Sequence, residues 1–154
     1  MYSLDFDDFF EEKYSLIGIH TALKDYQLAY LLNTYLSTKF KKALYSLDFE
    51  NEKNNASFTV FSHTKTNDGF DWFLISNSFK DNYTAQSAQM LLNTEIKTYL
   101  IPEKKKIDFF IKIIGEIDSD FLLKILDKIN KINQVITSYS LDYTLLKSKE
   151  YLIF

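Results

Sequence analysis

The sequence predicts an α+β protein: a two-layer sandwich with an enlarged, mainly antiparallel sheet and two main helices on one face. Three observations predict it. Apolar residues recur at clear helical spacing in two stretches, each flanked by runs of alternating or β-branched residues. The two strand–helix–strand units so formed can be laid on one another without a gap. Between them lie further strand-like runs around a turn signal, which add to the sheet.

In the first unit, YSLIGIH (14–20) reads as a strand from its β-branched and aromatic content. Residues 25–36 read as a helix, with Leu28, Leu31, Leu32 and Tyr35 at i, i+3, i+4 and i+7 and Asp25 able to cap the start. ALYSLDF (43–49) then alternates, Tyr45, Leu47 and Phe49 on one side and Ser46 and Asp48 on the other. In the second unit IDFFIKII (107–114) reads as a strand with Ile107, Phe109 and Ile111 on one face. A helix capped by Asp118 or Ser119 runs to about 132, its apolar stripe being Leu122, Ile125, Leu126, Ile129 and Ile132, and QVITSYSLDY gives a strand.

Sliding residues 16–49 onto 110–143 superposes Ile17 on Ile111, Ile19 on Ile113, Leu28 on Leu122, Leu32 on Leu126 and the word Tyr45–Asp48 on Tyr139–Asp142. Duplication and convergence of two amphipathic units both account for such a pseudo-repeat. Right-handed crossovers put both helices on one side of the sheet, which is a ferredoxin-like arrangement. The segment 50–106 supplies inserted strands: SFTVFSH (57–63), FDWFLISN (70–77) after the Asp68-Gly69 turn signal, and IKTYLI (96–101). Residues 78–95 read as a loop or short helix, and YSLDF (2–6) and the final YLIF as edge strands. The whole of 1–154 reads as one domain.

Composition excludes several classes of function. The chain is 46% hydrophobic and 17% aromatic, enough for a real core, and the absence of Cys removes disulfides, thiolate metal sites and a cysteine nucleophile. Only three glycines are present, which leaves no glycine-rich phosphate loop or nucleophile elbow. The acidic start lacks the basic and apolar regions of a signal peptide, and no apolar run could span a bilayer, so a cytoplasmic protein without membrane contact is expected. Net charge is −3 and every one of the 18 basic residues is Lys, which counts against sequence-specific nucleic-acid recognition.

No catalytic residue, metal ligand set or cofactor-binding residue is assigned, and no cofactor is expected. His20 and His63 lack partners at ligand spacing, and His20 reads as a structural hydrogen-bonding residue at a strand end. Asp5, Asp7, Asp8, Glu11 and Glu12 are interrupted by Phe6, Phe9 and Phe10 and read as a solvated acidic segment. The lysines at 39–42 and 104–106 could touch phosphates, but the signature of an RNA-recognition sheet is missing.

At YLIPEKKKIDFFIKI the sequence resembles the IPExxxVDY proteins, an uncharacterised bacterial family. The motif is here Ile101, Pro102 and Glu103, three Lys, then Ile107, Asp108 and Phe109. YSLIGIHTALKDYQLAYLLN and LKSKEYLIF are similar to that family as well, so the resemblance runs the whole length. It implies no substrate and no catalytic residue. Ile replaces Val and Phe replaces Tyr in the signature, and a motif that does without the hydroxyl of its aromatic residue points to packing. Pro102 suits an edge or turn. Glu103 and Asp108 are read as structural, pairing with Lys104–Lys106 or closing the turn, with acid/base chemistry as the other reading.

A second strand face that carries Ser46, Asp48, Ser140 and Asp142 should be polar. The middle strands break this rule, since FDWFLIS and IDFFIKII are apolar on both sides. Phe73, Ile75, Phe110 and Ile114 thus mark an apolar interaction face, covered either by the 50–106 segment and terminal strands or by a second protomer in a symmetric dimer. The expected function is that of a non-catalytic protein-interaction module. A small-molecule-sensing regulatory domain is the alternative, and RNA binding ranks third.

Overall fold

The computed structural model describes residues 13–50, 55–64, 69–82 and 95–154. Its elements are β1 (Tyr14–Thr21), α1 (Asp25–Leu36), β2 (Lys41–Glu50), β3 (Asn55–His63), β4 (Asp71–Ser76), β5 (Ser78–Asn82), β6 (Glu95–Tyr99), β7 (Phe109–Ile114), α2 (Ser119–Asn130) and β8 (Val135–Leu141). The protein is α+β, with a six-stranded antiparallel sheet in the order β2-β3-β4-β7-β1-β8 and a separate β5-β6 hairpin. The expected strand at 2–6 and the acidic residues from Asp5 to Glu12 lie outside the described residues.

Both helices lie on one face. Leu28, Ala29 and Leu32 of α1 and Ile125 and Ile129 of α2 share a buried cluster with Ile17, Ile19, Phe61, Trp72, Leu74, Phe109, Ile111 and Ile113 of the central strands. Burial of side chains of this size stabilises by about 1.5–3 kcal/mol each. Helix α2 starts at Asp118, whose carboxylate accepts the Phe121 N–H at 2.8 Å. The α1 cap differs from expectation. Lys24 holds the cap position, while Asp25 is the first helical residue and accepts a hydrogen bond from the Thr59 hydroxyl at 2.8 Å.

The sequence match between the two units is not matched position by position in the core. Leu28 and Leu32 are buried, whereas Leu122 and Leu126 only pack against the cluster, and Ile125 and Ile129 fill it instead. The strands before and after each helix do run the same way, as counting antiparallel steps along the sheet shows. But β8 sits beside β1, whereas β3 and β4 separate β2 from β7. A pseudo-twofold that carries β1 onto β7 therefore carries β8 onto β4 and not onto 45–49.

The second face is a core of its own. Leu16, Ala56, Phe58, Ile75 and Phe110 on the sheet are covered by Leu100, Ile101, Ile107, Leu146 and Leu152. The final segment, expected as an edge strand, instead forms short 3-10 turns at Tyr143–Leu145 and Lys149–Leu152 that lie over this face, with Leu152 fully buried. The polarity of the outer strands is accordingly reversed from expectation. Leu47, Phe49 and Leu141 pack against the second cluster, and Ser138, paired with Ile19, lies on the helix side, where Asn130 accepts its N–H at 2.8 Å. The stretch expected as loop or helix begins with a strand, β5, whose Phe79 packs on Phe58.

Candidate functional site

The IPE motif sits at the second core, and a side chain outside it holds it in place. Asn77, between β4 and β5, is fully buried. Its Oδ1 accepts the Ile101 N–H at 2.8 Å, and its Nδ2 donates to the carbonyls of Lys104 and Ile107 at 2.9 and 2.8 Å. Its backbone joins too, N–H to the Asp108 carbonyl at 3.0 Å and C=O from the Leu100 N–H at 2.9 Å. One amide thus satisfies the polar groups that a turn entering a core would otherwise bury unpaired.

Each motif residue has a place in that turn. Ile101 and Ile107 are buried in the second cluster. Pro102 begins a 3-10 turn, Pro102–Lys104, where its missing N–H is not required. Strand β7 begins only at Phe109, so Ile107 lies off it: Phe109 and Ile111 belong to the helix-side cluster and Ile107 to the other. That separates the three residues read as one strand face.

The two carboxylates pair with backbone groups. Glu103 accepts the Ser148 N–H at 2.8 Å and the Ser148 hydroxyl at 2.9 Å, tying the motif to the C-terminal segment. Burial works to raise its carboxyl, but hydrogen bonds from its own backbone, from Ser148 and from Lys147 outweigh this and hold it below the usual value. Asp108 accepts the Thr21 N–H at 2.9 Å at the end of β1, where the pairing with β8 shifts register between His20 and Thr21. It stands in for a missing ladder partner. Neither carboxylate takes the expected pairing with Lys104–Lys106 among the described residues; the ion pairs there are Lys13–Glu116 and Lys131–Asp127.

The motif's outer side is wet and basic. Lys104, Lys105 and Lys106 are exposed and, with His20 and Tyr139, line a cleft of about 410 Å³. His20 Nε2 and the Tyr139 hydroxyl are 2.8 Å apart.

None of the protein-family models, curated proteins or solved structures compared with the chain matches it.

The other candidates take their places around this turn. His63 Nδ1 accepts the Lys39 N–H at 3.1 Å. Among the described residues no group of three or more His, Asp or Glu could hold a metal ion, and no helix is long and apolar enough to cross a membrane. Of the expected interaction face, Ile75 and Phe110 have no exposed surface and lie in the second core, under the chain's own turns. Phe73 is half-buried, 5.3 Å in ring separation from Phe154, and Ile114 is half-buried at the end of β7. Phe73 borders the second core, and Ile75 and Phe110 fill it.

Asn77 escaped the sequence reading. A polar residue closing an apolar run was the available signal, but its partners lie 24 to 30 residues away.

Proposed function

We propose that the protein is a non-catalytic binding module whose partner is another protein, taken as an added strand along β2. The observation that carries this reading is at Leu44. Among the described residues strand β2 ends the sheet, and its pairing with β3 is interrupted between Lys42 and Ser46, so that Leu44 projects wholly out of them. An edge strand with an exposed large apolar side chain is a pairing surface unless something occupies it. Tyr45, Tyr151 and Phe154, all substantially exposed, continue the apolar surface beside it, with the Tyr45 and Phe154 rings 6.4 Å apart. Glu103 and Asp108 support the non-catalytic half of the proposal, because both engage backbone N–H groups that hold the turn.

The fold within this proposal is a ferredoxin-like arrangement with a hairpin, β3-β4, inserted between its second and third strands. The parallel direction of β1 and β2, and of β7 and β8, supports it, as does the adjacency of β1 to both β7 and β8. The proposed whole-length resemblance to the IPExxxVDY proteins rests on the motif at 101–109 together with YSLIGIHTALKDYQLAYLLN and LKSKEYLIF.

A photo-crosslinking residue at position 44, compared with one at the exposed Ile136 on the opposite edge strand, tests the binding mode in the native cytoplasm. A discrete adduct at 44, to another protein or to a second copy, is the expected result. Equal labelling at both positions would sink the reading.

A further inference from the structure

We propose that the cleft between the motif turn and the His20–Tyr139 pair binds a small phosphate-bearing anion. The site goes beyond the β2 edge and lies apart from it, at the other end of the sheet order.

Three consecutive lysines at a turn are commonly a solvated surface. Four observations set this turn apart. First, the backbone that carries them is fixed: the buried Asn77 amide binds the carbonyls of Lys104 and Ile107, so the ammonium groups rise from a rigid base. Second, among the described residues that line the cleft the only carboxylate, Glu103, is turned to Ser148 by two hydrogen bonds. No ion pair to Lys104, Lys105 or Lys106 occurs among the described residues. Third, positive charge accumulates beside the cleft: the Lys105 and Lys97 ammonium groups lie 5.8 and 5.4 Å from the centroid of one ring, Tyr99. Lys80 stands directly across the β5-β6 pair from Lys97, so a further ammonium group shares that strand face. Fourth, the opposite wall offers a polar pair, His20 Nε2 and the Tyr139 hydroxyl at 2.8 Å, which fixes the imidazole against the cleft.

The chemistry selects the ligand class. A lone carboxylate balances one ammonium group, whereas a phosphoryl group brings a charge of about −1.5 to −2 and three strong acceptor oxygens to a cluster of point charges. The cleft volume of about 410 Å³ suits a small molecule, with Pro102 and the Tyr139 ring to meet its less polar part. A net charge of −3 disfavours a long polyanion at a distance while leaving this local field intact.

The test is a ¹H–¹⁵N NMR titration of the full chain, at constant ionic strength, with inorganic pyrophosphate and separately with glucose 6-phosphate. Saturable shifts centred on residues 20, 104–107 and 139 are expected, weakened about tenfold or more in Lys104→Gln/Lys106→Gln. Lys39→Gln/Lys41→Gln should leave them unchanged. Tighter binding of the ester identifies an organic phosphate as the source, and tighter binding of pyrophosphate an inorganic one; either supports the site. The proposal is overturned by the absence of saturable shifts with both probes, by equal loss in the two lysine variants, or by a short oligouridylate that binds more tightly than either with contacts spread beyond the cleft. The lysine variants lie at exposed positions, and unchanged shifts in the helix-side core confirm that each is folded.

Discussion

The Lys112 ammonium group donates to the carbonyl of Leu152 at 2.5 Å inside the second core. It stands between the Tyr14 and Phe154 rings, 4.7 and 4.5 Å from their centroids, so a charged residue of a central strand clasps the C-terminal turn. Lys112→Met keeps the stem and loses the clasp. Global stability should then change by less than about 1 kcal/mol, because the lost hydrogen bond is offset by removal of a buried charge. The amides of 150–154 should exchange faster. Lys112→Ala, which also opens a cavity, should cost about 2–4 kcal/mol. Urea midpoints and amide exchange measure both effects. Equal loss in the two variants would mean that the ammonium group alone matters.

Asn77→Ala should be among the most damaging single changes in the protein. It leaves the Ile101 N–H and the Lys104 and Ile107 carbonyls without their partner in or near the core, at about 1–3 kcal/mol for each group left unpaired. A loss of about 3 kcal/mol or more is expected by chemical denaturation. Asn77→Asp should fare no better, since a carboxylate cannot donate to the two carbonyls. Near-neutral stability in both would show that water replaces the amide at that turn.

Glu103 gives the turn a pH dependence. Its carboxyl is held below the usual value in the folded protein, so its contribution is complete above the unfolded glutamate range and is lost as pH falls through the folded value. The group is largely exposed, which keeps the effect modest. Asp48, lowered by the hydroxyls of Ser57 and Ser46, and Asp142, lowered by the hydroxyl and N–H of Thr144, act in the same direction. Glu103→Gln should therefore be less stable than the parent at neutral pH and converge with it in acid. Denaturation midpoints from pH 7 down to pH 3 check this, and a gap that widens in acid would contradict it.

Local pattern carried the sequence reading where structure is local. The bounds of α1, a cap at Asp118 or Ser119, of which Asp118 takes the role, and the strand character of 57–63 and 70–77 follow from spacing and cap chemistry within a few residues. The double-sided apolarity of FDWFLIS and IDFFIKII marked two faces to be covered, and both are core. What covers the second face was not legible, because YLIF has the composition of a strand, yet its Tyr151 and Leu152 close a 3-10 turn and the Leu152 carbonyl meets the distant Lys112. The same holds for Ile107. Counting by twos from Phe109 places it on the helix side, but the Asn77 amide bends the chain before β7 begins and delivers it to the other face. At the site, Glu103 and Asp108 stood out by charge, while the residues they bind, Ser148 and Thr21, lie 45 and 87 positions away.

Gly18 and Ile107 should prove energetically coupled. A Cβ on Gly18 would stand 2.8 Å from Ile107 Cδ1, 3.3 Å from its Cγ1 and 3.2 Å from Leu141 Cδ1, so the motif isoleucine occupies the space the missing side chain leaves on β1. Ile107 is itself nearly without exposed surface and has little room to retreat. Gly18→Ala should thus lose about 1–3 kcal/mol to overpacking, even though alanine is the better residue in a strand. Ile107→Val should lose about 0.5–1.5 kcal/mol for the methyl it removes. That methyl is the one in the way, so the double variant should be more stable than the sum of the two losses by about 1 kcal/mol. Leu141 still crowds the new Cβ, so rescue should stop short of the parent's stability. A double-mutant cycle in urea measures the coupling directly. Additive losses would mean that the turn shifts as a unit and that Gly18 does not receive Ile107.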